Sequence, residues 1–322
     1  GLHLAFEASG VGPGDEVLVP TWTFTSTAEA VRYLGGDPVL VDVDPATLCI
    51  DLADAARKVT GRTVAVAPVH YAGLAVPNAA LTEFAARHGL RVVEDAAHAF
   101  PTVNEGTPVG AHGHAATVYS FYATKTMTTG EGGMVITPDE DLAARMRTMR
   151  LHGIDRDVFD RYSSTRPSWH YDVVAPGYKY NLTDTAAAMG RVQLRRTPEM
   201  VAKRTAIADR FDAAFADLPV QRPAHAPEGS SHAWHIYNLR LNADAPVARD
   251  RFIELMAAAG VGTSVHFIPL HLHPYWRDTY GHTPEGFPVA TAQYARSVSL
   301  PIFSAMSDDD VEHVISAVRG IL

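Results

Sequence analysis

The chain has one cysteine, Cys49, so no disulfide can form within it. That excludes the disulfide-stapled scaffolds of small secreted proteins. No apolar run reaches the roughly 18 residues that a membrane-spanning helix needs. Positive charge is in short supply: 27 Lys and Arg against 36 Asp and Glu leave a net charge of −9. No Lys/Arg-rich stretch interrupts that balance, which argues against a nucleic-acid-binding surface. No internal repeat, low-complexity tract or signal-peptide pattern stands out, and a cytoplasmic, membrane-free protein is expected. The first residues, Leu2-His3-Leu4-Ala5-Phe6-Glu7-Ala8, read as the interior of a helix, so a further N-terminal segment is expected to precede them.

What is present is ample core material, 47% hydrophobic residues in 322, enough for two packed domains. Short β-branched runs recur at 17–19, 39–43, 64–69, 91–94, 117–120 and 134–136. Their nearly continuous hydrophobicity predicts strands covered on both faces. Helix-length segments lie between them at 25–34, 52–58, 78–88 and 139–151, with Gly89 placed as a C-cap. Alternation of this kind over about 150 residues predicts a mostly parallel α/β sheet. A helical pattern from 183 to 194 is broken at Pro198 and resumes from 201 to 216. The texture then changes: 235–241 alternates like a half-buried antiparallel strand, 249–260 reads as a helix and 262–267 as another strand. The expected division is a large α/β domain, 1–200, and a smaller α+β C-terminal domain, 201–322. The aperiodic stretch 155–180 is long for a compact domain, as functional or interfacial loops are.

Two strand ends carry chemistry. Arg91-Val92-Val93-Glu94-Asp95 ends in a carboxylate, and Ser120-Phe121-Tyr122-Ala123-Thr124-Lys125 follows a strand with a lysine. In an open parallel sheet, ligands bind beyond the carboxyl ends of the strands, so topology alone brings these residues near one another. A carboxylate there can keep a pyridine nitrogen protonated and a lysine can form a Schiff base with an aldehyde, which points to pyridoxal phosphate. Taken singly, Asp95 could be a helix N-cap, Lys125 a solvated turn residue and His98 a satisfied core histidine. Sixteen histidines raise a metal alternative, with His112-Gly113-His114 and His271-Leu272-His273 as candidates. Neither has a Cys, Asp or Glu frame at ligand spacing, so no metal is expected.

Six segments then coincide in order. Pro68-Val69-His70, Glu94-Asp95-Ala96-Ala97-His98, Phe121-Tyr122-Ala123-Thr124-Lys125-Thr126, Gly130-Glu131-Gly132-Gly133, Gly177-Tyr178-Lys179-Tyr180-Asn181 and Gly262-Thr263-Ser264-Val265-His266 resemble those of the DegT/StrS-type nucleotide-sugar aminotransferases. The resemblance spans essentially the whole chain. It implies a fold-type-I pyridoxal-phosphate enzyme, a homodimer with shared active sites, that moves an amino group from L-glutamate to a keto-sugar nucleotide. It assigns Lys125 to the cofactor aldehyde and the proton shuttle, Asp95 to the ring nitrogen, and His98 to the phenolic oxygen. Phe24 would stack on the ring and Ser120 would bind the phosphate. Asn181, and with it Lys179, would reach the phosphate from the second subunit. His266, Arg166, Tyr275 and Lys179 would line the sugar-nucleotide site. The segments at 69–73, 177–184 and 232–235 look most like the branch that aminates C4 of a 4-keto pentose or 4-keto-6-deoxyhexose. The alternatives are a 3-keto-sugar aminotransferase, a keto-sugar dehydratase of the same fold, in which a histidine replaces the lysine, and a non-catalytic cofactor-binding regulator.

Overall fold

A computed structural model describes residues 1–155 and 171–322. Six strands build the central sheet: β1 (Glu16–Pro20), β2 (Asp37–Val41), β3 (Thr63–Val66), β4 (Arg91–Asp95), β7 (Ala116–Ser120) and β8 (Gly133–Ile136). A two-stranded antiparallel ribbon, β5 (Val103–Asn104) with β6 (Thr107–Pro108), lies between β4 and β7 in the chain. The sheet order is β2-β1-β3-β4-β7-β8, parallel throughout except for the antiparallel β7–β8 pair. Helices α1 (Leu2–Ala8), α2 (Ser26–Tyr33), α3 (Leu52–Lys58), α4 (Asn78–His88) and α5 (Glu140–Met149) cover it. The chain leaves α4 through Gly89 at φ 66°, the left-handed conformation that favours glycine.

All six expected strands form, but β8 is not covered on both faces: Met134 and Ile136 are exposed. An antiparallel strand at the edge of the sheet has one neighbour and one open flank among the described residues. Periodicity cannot distinguish such a strand from a central one.

The helical pattern around Pro198 is continuous rather than interrupted. One helix, α6, runs 31 residues from Asp184 to Ala214 with Pro198 inside it. Proline removes an amide donor and crowds the preceding turn. Here the Thr197 hydroxyl donates to the Gln193 carbonyl at 3.1 Å on that turn, and burial of Thr197 and Met200 holds the helix together across it.

The second half of α6 packs with β9 (Val220–Gln221), β10 (Tyr237–Leu241), β11 (Ser297–Leu300), α7 (Arg249–Ala258) and α10 (Asp308–Ile321) around a buried cluster drawn from residues between Ile207 and Val318. The three strands form an antiparallel sheet in the order β11-β10-β9. Strand β10 is buried along its whole length instead of being half-buried. The expected strand at 262–267 is a loop with a single bridge, Ser264 to Ser299. Residue 200, the expected domain boundary, lies inside α6. Leu270, Trp276 of α8 (Pro274–Tyr280) and Ala290 of α9 (Pro288–Tyr294) join the core of the large sheet. No helix among the described residues is long and apolar enough to cross a membrane.

Candidate active site

The carboxyl ends of β4 and β7 open into a cleft of about 1460 Å³. Its wall brings together Phe24, Asp95, His98, Ser120, Lys125, Asn181 and His266. Arg166 lies outside the described residues. Lys179 and Tyr275 are not in this wall: Lys179 is exposed and bridges Leu151, while Tyr275 is exposed on α8 beside Trp276.

Successive strand residues face opposite sides of a sheet, and the Glu94-Asp95 pair uses this. Asp95 is buried at the end of β4, where its carboxylate accepts the Thr27 hydroxyl at 2.6 Å and the Ala97 amide at 3.0 Å. Thr27 is itself paired with Thr23 at 3.0 Å. Glu94 turns the other way and accepts from His70 Nε2 at 3.0 Å and from the Thr117 hydroxyl, with His114 Nδ1 3.3 Å away. Burial alone would raise the Glu94 carboxyl, but His114 and His70 beside it outweigh this and hold it far below its ordinary value. One carboxylate therefore ties the strand to its neighbours while the other stays available to the cleft.

Lys125 follows β7 in a turn, its amide bonded to the Tyr122 carbonyl at 3.0 Å. The returning chain closes on that turn through Thr129 to Phe121 at 2.9 Å and Phe121 to Gly132 at 2.8 Å. Gly133 permits this: a Cβ there would lie 2.7 Å from the Tyr119 carbonyl. Burial pushes the Lys125 ammonium down to about 8 from 10.5, against the opposing charge of Asp95. Near pH 7 this leaves roughly two orders of magnitude more neutral amine than an ordinary lysine has. The rate at which cofactor-free protein captures an aldehyde should therefore rise with pH and level off above about 8. Stopped-flow absorbance against pH checks this; a rise continuing to pH 10 would place the lysine in bulk water.

His98 is buried, its imidazole held well below its ordinary value first by desolvation and then by the neighbouring His235, Lys125 and His266, beside which a further positive charge is disfavoured. The Ala72 amide donates to its Nδ1 at 3.3 Å. The proton of the neutral ring therefore sits on Nε2, a donor. Phe267 stacks on the same ring at 5.8 Å and 22°. Phe24, 59% exposed, stands 5.9 Å from Phe267 with its ring free at the cleft. The His266 carbonyl, at the base of this loop, accepts both the Tyr71 hydroxyl at 2.5 Å and the Trp22 indole at 3.1 Å. His266 Nδ1 pairs with the Ser299 hydroxyl at 3.0 Å.

Three supporting residues were not visible as site residues in the sequence: Thr27, Ala72 and His235. Thr27 meets Asp95 across 68 positions, a pairing that the residues around it do not reveal. His235 lines the cleft from the start of the segment leading into β10, where alternation spoke for a strand and the resemblance of 232–235 assigned the histidine no role. Of the histidines weighed for metal, His271 bonds Thr21 at 2.8 Å and Thr291 at 3.0 Å, and His114 Nδ1 stands 3.3 Å from Glu94.

These groups fit pyridoxal phosphate: a buried carboxylate for a ring nitrogen, a lysine with a depressed pKa for an aldehyde, an imidazole N–H for a phenolic oxygen and an exposed aromatic face for the ring. The sequence profile of the DegT/DnrJ/EryC1/StrS aminotransferase family matches residues 1–319. The spore coat polysaccharide biosynthesis protein SpsC of Bacillus subtilis is 45% identical over 323 aligned residues, covering 100% of this chain and 82% of that protein. The putative sugar aminotransferase Spr1654 of Streptococcus pneumoniae, in its PLP form, superposes with a TM-score of 0.91 at 29% identity over 100% of this chain and 85% of that one. The sugar aminotransferase CalS13 of Micromonospora echinospora gives 0.87 at 32% identity, over 99% and 84%.

Proposed function

Because the chain belongs to the DegT/DnrJ/EryC1/StrS aminotransferase family, and is thus a pyridoxal-phosphate enzyme of fold type I, we propose that it transfers the amino group of L-glutamate to the C4 ketone of a nucleotide-linked sugar, acting as a homodimer. The observation that carries this reading is the cleft itself. A lysine of depressed pKa stands beside neutral imidazoles in a space of about 1460 Å³, above the 300–1,000 Å³ usual for small ligands. Such a space suits a cofactor together with a bulky acceptor. Uncharged imidazoles suit the hydroxyl groups of a sugar. The polysaccharide role named for the Bacillus subtilis relative and the sugar aminotransferases among the solved structures support the same acceptor class.

When bound, the cofactor supplies an electron-accepting pyridinium ring. In this reading Asp95, held by Thr27 and the Ala97 amide, keeps the ring nitrogen protonated. His98 donates its Nε2 proton to the phenolic oxygen, Phe24 covers one face of the ring and Ser120 binds phosphate. Lys125 moves the proton at the substrate carbon, first for glutamate and then, in reverse, for the sugar. Asn181 lines its own chain's cleft; its reach to a partner's phosphate, with Lys179, is part of the proposed dimer. His266 faces the acceptor.

Two measurements test this. Holoenzyme given L-glutamate alone should lose its visible absorption and release one equivalent of 2-oxoglutarate. The product formed next from 4-keto sugar nucleotides should carry the amine at C4 by mass and NMR. A 3-amino product, or no turnover with any 4-keto sugar nucleotide, sinks the acceptor assignment.

A further inference from the structure

The His98 imidazole does not stand alone. The ring of His235 lies 4.5 Å from it, tilted by 42°. Both hang on one residue, since the Ala72 amide donates to His98 Nδ1 at 3.3 Å and the Ala72 carbonyl accepts the His235 amide at 2.9 Å. The backbone around them is held in conformations that side chains rarely adopt: Ala72 has φ 59° and Trp234, just before His235, has φ 48°. Such positions persist only where surrounding structure over-determines them, and they gather at functional sites.

Here the surrounding structure is visible. The buried Arg204 guanidinium, fixed to the Ile302 carbonyl at 2.9 Å, donates to the Trp234 carbonyl at 3.0 Å. The Ala233 amide donates to the Gly73 carbonyl at 3.0 Å. Gly73, at φ 102°, has no room for a Cβ, which would lie 3.0 Å from both the His98 carbonyl and the Ala233 Cβ. All this fixes a ring whose Nδ1 is buried and has no hydrogen-bond partner among the described residues, although the residue lines the cleft. A buried polar atom left unpaired is a cost that a fold alone does not explain.

We propose that His235 is a further ligand-binding residue of the active site, forming with His98 a pair of imidazoles that hydrogen-bonds the oxygen substituents of the ligand seated beside Lys125. This rests on the reading of the cleft as the cofactor site. Lys125, Arg204, His98 and His266 are the titratable groups around the His235 ring. Desolvation, and after it Lys125, Arg204 and His266, all favour its neutral form, so it acts as a hydrogen-bonding partner and not as a cation.

The decisive variant is His235→Phe, which keeps a ring and removes both nitrogens. Because it also removes an unpaired buried polar atom, the apo-protein should have an unchanged or higher Tm. The holoenzyme should lose roughly tenfold in kcat/KM. The pH midpoint of its visible band should shift, and adding His98→Phe should change that midpoint by less than the two single shifts together. His235→Gln, which retains a hydrogen-bonding group, should recover part of the loss. A wild-type midpoint and kcat/KM in His235→Phe overturns the proposal. So does an apo Tm that falls by several degrees, or a Gln variant no better than Phe. If the wild-type protein itself shows no visible band with pyridoxal phosphate, the cofactor reading fails and the proposal falls with it. A normal wild-type band beside an unaffected variant removes the proposal alone.

Discussion

The Lys125→Ala protein should fold as the wild type does and lose transamination by at least about 10⁴-fold, the upper range for a positioned acid–base group. Both half-reactions need the same amine to move a proton at the substrate carbon, so neither should survive. Folding should be spared for a structural reason. The side chain lines an open cleft, so alanine leaves no enclosed cavity, and the backbone bond from residue 125 to Tyr122 does not depend on it. The sign of the electrostatics points the same way. A lysine lowered to about 8 from 10.5 is held by the fold as a cation at a cost below pH 8, and that cost disappears as pH rises from about 8 towards 10.5. Removing the ammonium should therefore leave the apo-protein's Tm at pH 7 equal to or slightly above that of the wild type. Differential scanning calorimetry and an assay for 2-oxoglutarate decide the matter together. Residual transamination above one-hundredth of wild type, in a folded protein, would take the proton shuttle away from Lys125.

Asp95→Asn should come next in severity, with cofactor still bound and turnover reduced. Loss of one charge-assisted contact, about 1.5–3 kcal/mol, corresponds to roughly 10- to 150-fold. The substitution tests charge more cleanly than most. Both groups that bind the carboxylate are donors, the Thr27 hydroxyl and the Ala97 amide. An asparagine can keep its carbonyl toward one of them. If its amide faces Thr27, that hydroxyl can turn to donate to Thr23, with which it is already paired at 3.0 Å. Shape and satisfaction survive while the negative charge does not. Unchanged kcat in this variant, with cofactor occupancy confirmed by absorbance, would contradict the assignment of Asp95 to the ring nitrogen.

Much of this site could be read from the chain because its parts are local. Asp95, Ser120 and Lys125 sit at or just past strand ends, strand positions follow from short β-branched runs, and a parallel sheet gathers its carboxyl ends on one side. What stayed hidden depends on partners far apart in sequence. Thr27 matters only because β4 places Asp95 against α2, and His235 only because Ala72 and Arg204 hold it there. The break expected at Pro198 fails because tertiary burial along α6 overrides a local breaker. The strand expected at 262–267 fails for a related reason: its backbone donors and acceptors are taken by Tyr71, Trp22 and a single bridge to Ser299 rather than by a ladder. The residue types of that segment read as a strand without fixing what the backbone bonds to.

The solitary thiol has a practical consequence. Cys49 is buried, donates weakly to the Leu74 carbonyl, and is pushed by burial to about 11, so near neutral pH it is almost entirely in its unreactive protonated form. The native protein thus has a low background toward maleimide dyes. A new cysteine at exposed Ile268, next to the loop anchored by Tyr71 and Trp22, should take a single fluorophore without first removing the natural thiol. That makes the loop's response to each substrate, in each half of the catalytic cycle, directly observable.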